Sequence, residues 1–180
     1  MMFGLGNKTK VRDKAVAQIS QNLQYQFGPY IRFGRLVEVI QSEPYVAGYL
    51  QGKLVSMISY MRHVEGLPED MFNMVSGMVL INLFGEEKVV VVSNALKAFA
   101  KNPPGDFLRG AQRGGQCVRY LAGLDDIRED PDYAEALRHH RKSEKEMQGF
   151  IDSAPSLDAF AALVGLEQFW IGDLLQEIAM

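Results

Sequence analysis

The sequence predicts an all-α protein, an irregular bundle or array of seven to eight helices. Apolar side chains recur at steps of three and four residues along most of the chain, which is the spacing of one helical face. Pro, Ser, Asp and Glu stand where these patterns begin, and Gly or Pro stands where most of them end. No segment as a whole favours a strand over a helix. The spacing of the apolar residues and the residue types at the segment ends therefore both indicate an all-α fold.

The size and composition of the chain fit one globular domain. It has 180 residues, of which 47% are apolar and 23% charged, enough for one core and slightly too few for two. We expect a single helical domain over 1–180, with the softest point of division at 102–106. The net charge of −3 gives no general attraction to nucleic acid.

The first two helices are predicted over residues 10–27 and 30–41. Gly28 and Pro29 are expected to end the first one, because proline lacks the amide hydrogen that would continue it. The apolar stripe of the first helix consists of Val16, Ile19, Leu23 and Phe27.

The third helix is predicted to begin at Ser42, a capping residue, with Pro44 in the first turn and Gly66 at the end. Gly48 and Gly52 lie four residues apart on one side of it. Small residues at this spacing let a neighbouring backbone approach closely.

A fourth helix is predicted over residues 71–84, opened by Pro68 and two acidic residues. It is apolar nearly all round, which is typical of a helix surrounded by others, so we expect it at the centre of the fold. It is shorter than the roughly 20 apolar residues that span a bilayer.

The fifth helix contains the four valines 89–92, which locally favour a strand because they are β-branched. Glu86 and Glu87 suit a first helical turn, and Lys97 and Lys101 suit a last turn. These charges and the three-and-four spacing favour a helix over the strand.

The last three helices are predicted over residues 106–122, 130–151 and 156–178. Gly114 and Gly115 lie inside the first of these, and each costs about 1 kcal/mol relative to alanine. The helix over 106–122 is therefore expected to kink or break most easily at Gly114 and Gly115. The final helix is very apolar, and it would need a partner if nothing in its own chain covers it.

One candidate binding site lies on the sixth helix. Arginine suits planar contacts with carboxylate or phosphate, and neighbouring glycines leave room for a ligand. The alternative is that the two arginines are exposed or pair with Asp106 and Asp125, and that the cysteine is a buried, inert thiol. The candidate residues are Arg109, Gln112, Arg113, Gln116 and Cys117.

A second candidate site is a pocket lined by methionines, whose flexible side chains adapt to varied apolar ligands. Its mouth would carry Arg109 or Arg113. The alternative is that the methionines fill the core. The candidate lining residues are Met57, Met61, Met74 and Met78.

No metal site or cofactor is predicted. His139 and His140 are adjacent, so on a helix they point about 100° apart and cannot share one ion. The chain also has no Glu-x-x-His pair of the kind that helical di-metal sites use.

These observations favour a non-catalytic helical binding or assembly protein that acts through protein–protein contacts and self-associates as a homo-oligomer. A small-molecule or effector pocket is the first alternative, and an enzyme with a dispersed active site is the second. The single Cys117 and the absence of a secretory leader indicate the cytoplasm. We expect a protein partner or a second copy, no nucleic acid, no transmembrane segment and no peripheral membrane contact.

Overall fold

The computed structural model describes residues 3–32, 35–134, 167–172 and 174–175. These residues form helices and short turns, with no strand among them, which confirms the all-α array. In chain order the α-helices are α1 (Phe3–Arg32), α2 (Leu36–Ser42), α3 (Pro44–Glu65), α4 (Phe72–Phe84), α5 (Glu86–Lys101) and α6 (Gly105–Leu121). Short 3-10 turns cover Glu69–Met71 and Ile127–Glu129, and Gln168–Gly172 forms a π turn.

The described residues fall into two compact units. The first ends at Gly115 and the second begins at Gln116, inside α6. The first unit holds α1 to α5 and most of α6. The single domain over 1–180 and its soft division at 102–106 stay predictions.

α1 continues beyond the point where the sequence predicts its end. It passes through Gly28 and Pro29 and ends at Arg32. Pro29 removes the amide that would bond the carbonyl of Tyr25, but both residues are exposed, so water can satisfy that oxygen. The start of α3 also differs, because Glu43 precedes Pro44 without a side-chain cap and Ser42 is the last residue of α2.

Among the described residues, α3, and not α4, contributes the largest number of buried residues to the first unit. Its buried residues are Val46, Ala47, Gly48, Tyr49, Leu50, Lys53, Leu54, Ile58 and Met61. α4 buries only one side, with Val75 and Val79 fully covered, while Met74 and Ile81 are 49% and 40% exposed. The prediction of α4 as a surrounded central helix is therefore wrong.

α3 and α6 cross at backbone contact. A Cβ added at Gly48 would overlap the carbonyl oxygen of Phe107, and one added at Gly52 would overlap that of Ala111. Both contacts advance by four residues in each helix, so the two helices run parallel. The predicted close approach at these glycines is thus confirmed, with α6 as the neighbour.

The glycines of α6 complete the crossing. A Cβ at Gly110 would overlap the carbonyl oxygen of Tyr45, and one at Gly114 would overlap that of Tyr49. α6 runs unbroken through Gly114 and Gly115. The cost of these glycines to the helix is offset by the packing that they permit, so the anticipated break does not occur.

The valines 89–92 lie inside α5, which confirms the helix over the strand. Gly66 ends α3 at a φ of 68°, a conformation that glycine adopts without strain. Most of the helix predicted over 130–151, from residue 135 onwards, and most of that over 156–178 lie outside the described residues. Within the final segment Trp170, Ile171 and Leu175 are buried.

Candidate interaction surface

The side of α5 that faces away from the first unit carries a defined set of exposed residues. The opposite side is held down by Val92 and Leu96, both buried, and by Phe99, which stacks on Phe107 with ring centroids 5.8 Å apart. Helical geometry of 100° per residue then directs one arc of the helix outwards. This α5 outer face consists of Glu87, Val90, Val91, Asn94, Lys97, Ala98 and Lys101, of which every one is exposed.

The middle of the α5 outer face is apolar. Val90 is 61% exposed and Val91 is 38% exposed. β-branched residues are weaker helix formers than alanine or lysine, so local propensity does not account for two of them on an exposed helical surface. Adjacent exposed apolar residues make this part of α5 a candidate contact surface.

The exposed side of α4 adds further apolar side chains. Met74 and Ile81 lie about two turns apart on it, and Gly85 alone connects α4 to α5. Gly85 has a φ of 79°, which permits this tight connection. Two consecutive helices of the same unit thus each have an outward side with exposed large apolar residues.

α4 runs parallel to α1. Arg12 Nη1 lies 3.8 Å from the sulfur of Met74, and eight residues further along both helices Asn82 Nδ2 donates to Ser20 Oγ at 3.2 Å. An open depression of about 580 Å³ lies beside the second contact. It is lined by Ala17, Ser20, Gln21, Gln24, Tyr25 and Asn82.

Three of the predicted α6 site residues belong to the first unit. Arg109 is exposed, pairs with Asp106 at 2.8 Å and lies over the ring of Tyr45 at 5.8 Å. Gln112 is exposed and Arg113 is half-buried. The alternative that Arg109 pairs with Asp106 is confirmed, and a ligand at Arg109 or Arg113 stays a prediction.

The other two predicted α6 residues belong to the second unit. Gln116 Nε2 donates to Asp125 at 2.9 Å, and Cys117 is fully buried. Arg119 binds both oxygens of Asp125, at 2.6 and 2.7 Å. Arg119, a residue that the sequence analysis missed, holds this carboxylate. Its hydrogen bonds lower the pKa of Asp125.

The loop after α6 is fixed by two further carboxylates that the sequence analysis did not single out. Tyr120 donates its hydroxyl hydrogen to Asp130 at 2.6 Å, and burial together with this bond raises the pKa of Tyr120. Trp170 Nε1 donates to Asp132 at 2.8 Å. Asp130 also accepts from the backbone amide of Asp132, which is the turn-forming behaviour expected of aspartate.

The four predicted pocket methionines differ widely in exposure. Met61 is buried, Met57 and Met78 are half-buried, and Met74 is about half exposed. Met74 lies at the surface against the guanidinium of Arg12. The methionine pocket stays a prediction.

A buried polar chain connects α1 and α3. Lys53 is 1% exposed, and its Nζ donates to Gln26 Oε1 at 2.7 Å. Gln26 in turn donates to the hydroxyl of Tyr49 at 3.4 Å, and Tyr49 packs edge-on against Phe27. Lys14 pairs with Glu65 at 2.7 Å near the other end of α3, so α1 and α3 are antiparallel.

Neither a metal cluster nor a membrane-spanning helix occurs in the described part of the chain. No three His, Cys, Asp or Glu side chains are grouped there to hold an ion. None of its helices combines the length and the apolar character needed to cross a bilayer. His139 and His140 lie outside these residues. No protein-family model, no curated protein and no solved structure matches this chain.

Proposed function

We propose that this chain is a non-catalytic helical assembly protein that acts through protein–protein contacts and associates with itself. The observation that carries the proposal is the exposure of large apolar side chains on two consecutive, well-packed helices. Met74 and Ile81 on α4, and Val90 and Val91 on α5, keep between 38% and 61% of their surface open to solvent.

The energetics favour covering these side chains. Each Å² of apolar surface removed from water contributes about 25 cal/mol, so each of these half-exposed side chains offers on the order of 1 kcal/mol. In a symmetric dimer every residue of the contact counts twice. The loss of translational and rotational freedom opposes this gain with a cost of about 4 kcal/mol or more, so we expect a weak association that depends on protein concentration.

The chemistry of the surface supports a protein partner in the cytoplasm. The outward side of α4 carries no charge, and the α5 outer face combines apolar residues with charges of both signs, whereas nucleic-acid surfaces are dominated by Lys and Arg. The net charge of −3 agrees with this assignment. The single cysteine, Cys117, is buried and has no second cysteine to pair with, as suits a reducing compartment.

Analytical ultracentrifugation of the full chain tests the proposal. Between about 1 and 100 micromolar protein, the weight-average mass should rise from the monomer towards a dimer or a higher symmetric oligomer. The monomer mass is 20.2 kDa. A mass that stays at this value over the whole concentration range would refute self-association.

A further inference from the structure

We propose that the α5 outer face pairs with the α5 outer face of a second copy, with the two helices antiparallel and a two-fold axis at Asn94. This inference rests on the proposed self-association and names the contact that produces it. It follows from the order of the residues along the helix and from their charges.

The α5 outer face has the spacing of a helix–helix seam. Its central line runs Glu87, Val90, Asn94, Lys97 and Lys101, in steps of three, four, three and four residues. This is the spacing by which two helices remain in contact along their length in a coiled coil. All five residues are exposed, so the first unit leaves the whole line uncovered.

The charges of the α5 outer face are self-complementary only in one orientation. With the axis at Asn94, Glu87 lies opposite Lys101 of the second copy, and Lys101 lies opposite its Glu87. A parallel pair would instead place like charges side by side, which is destabilising. Within the described chain neither Glu87 nor Lys101 forms an ion pair, so both are available for this contact.

The residues between the charges match in the same register. Val90 lies opposite Ala98, a large side chain against a small one, which favours close packing. Val91 and Lys97 lie about 60° to either side of Asn94, so they flank the contact on opposite sides. Asn94 meets its own copy on the axis, where two amides can each donate to the other, and a single such Asn is known to fix register.

Charge reversal in the full chain tests the pairing. The single variants Glu87→Lys and Lys101→Glu each convert two attractive pairs of the dimer into two repulsive ones. Each should raise the dimer dissociation constant about tenfold or more in low salt. The double variant carrying both changes restores opposite charges in both pairs and should return the constant to within about threefold of wild type.

A matched control lies on the same helix. Lys88 is exposed but points about 120° away from the centre of the α5 outer face. Lys88→Glu makes the same change in net charge as Lys101→Glu and should leave the dissociation constant within about twofold. Far-ultraviolet circular dichroism should show unchanged helix content in every variant, because the altered side chains are exposed.

The outcomes separate this inference from the function on which it rests. Weakening by both single reversals, with recovery in the double variant, supports the antiparallel α5 pair. If the wild type associates and both single-reversal variants associate equally well, the α5 pair is overturned and self-association stands. A wild-type protein that stays monomeric would overturn both.

Discussion

Gly52→Ala is expected to destabilise the protein by about 3 kcal/mol or more, because its new Cβ would overlap the carbonyl oxygen of Ala111. The obstructing atom belongs to the backbone of α6, so no side-chain rotation can relieve it. The helices must move apart along the whole crossing, which would also loosen the contacts at Gly48, Gly110 and Gly114.

The same substitution in α4 provides the control. Gly77 lies within that helix, and a Cβ there would meet nothing within 4 Å. Gly77→Ala should therefore leave the protein unchanged or stabilise it by up to about 1 kcal/mol, through the better helix propensity of alanine. Urea unfolding followed by circular dichroism measures both variants. A Gly52→Ala midpoint equal to that of Gly77→Ala would contradict the close crossing.

Lys53→Met is expected to lower the free energy of unfolding by about 2 kcal/mol. Methionine keeps most of the volume of the buried side chain but removes the ammonium group. The Oε1 atom of Gln26 then loses the donor that lies 2.7 Å away. A buried polar atom without a partner retains its full desolvation cost, which is the main penalty expected here.

Lys14→Met is the matched control for Lys53→Met. The Nζ atom of Lys14 is also 2.7 Å from its partner, Glu65 Oε2, but the side chain is 49% exposed. Because water can replace a surface ion pair, this change should cost less than about 1 kcal/mol. Adding Gln26→Leu to Lys53→Met should recover part of the loss, because the orphaned amide is then removed. Equal unfolding midpoints for the two lysine variants would show that Lys53 contributes no buried bond.

The helical class could be predicted from the sequence because burial in a helix repeats at steps that the sequence displays directly. The position of α4 could not. Its residues are apolar nearly all round, so the pattern contains little information on which side another helix covers. Only the arrangement of α1, α3 and α5 decides that Met74 and Ile81 stay exposed.

Other features of the first unit are visible in the sequence, but the cause of one of them differs from the prediction. Gly114 predicts a possible break in α6, because glycine weakens an isolated helix. In the structure Gly114 instead allows the backbone of α3 to lie against α6. Glu87 and Lys101 lie in the first and last turns of α5, as the helix-dipole argument predicts. Lys53 also had a signal, because it follows Leu50 by three residues on the buried stripe of α3.

The most direct measurement of the proposed assembly is disulfide crosslinking of Asn94→Cys under mild oxidation. A residue on a two-fold axis approaches its own copy, within the Cα separation of about 7 Å that a disulfide requires. The native Cys117 is buried and should not compete. We predict rapid formation of a covalent dimer through position 94 and little through Lys88→Cys, which is exposed off the α5 outer face. Crosslinking through position 94 that is no faster than through position 88 would contradict the account.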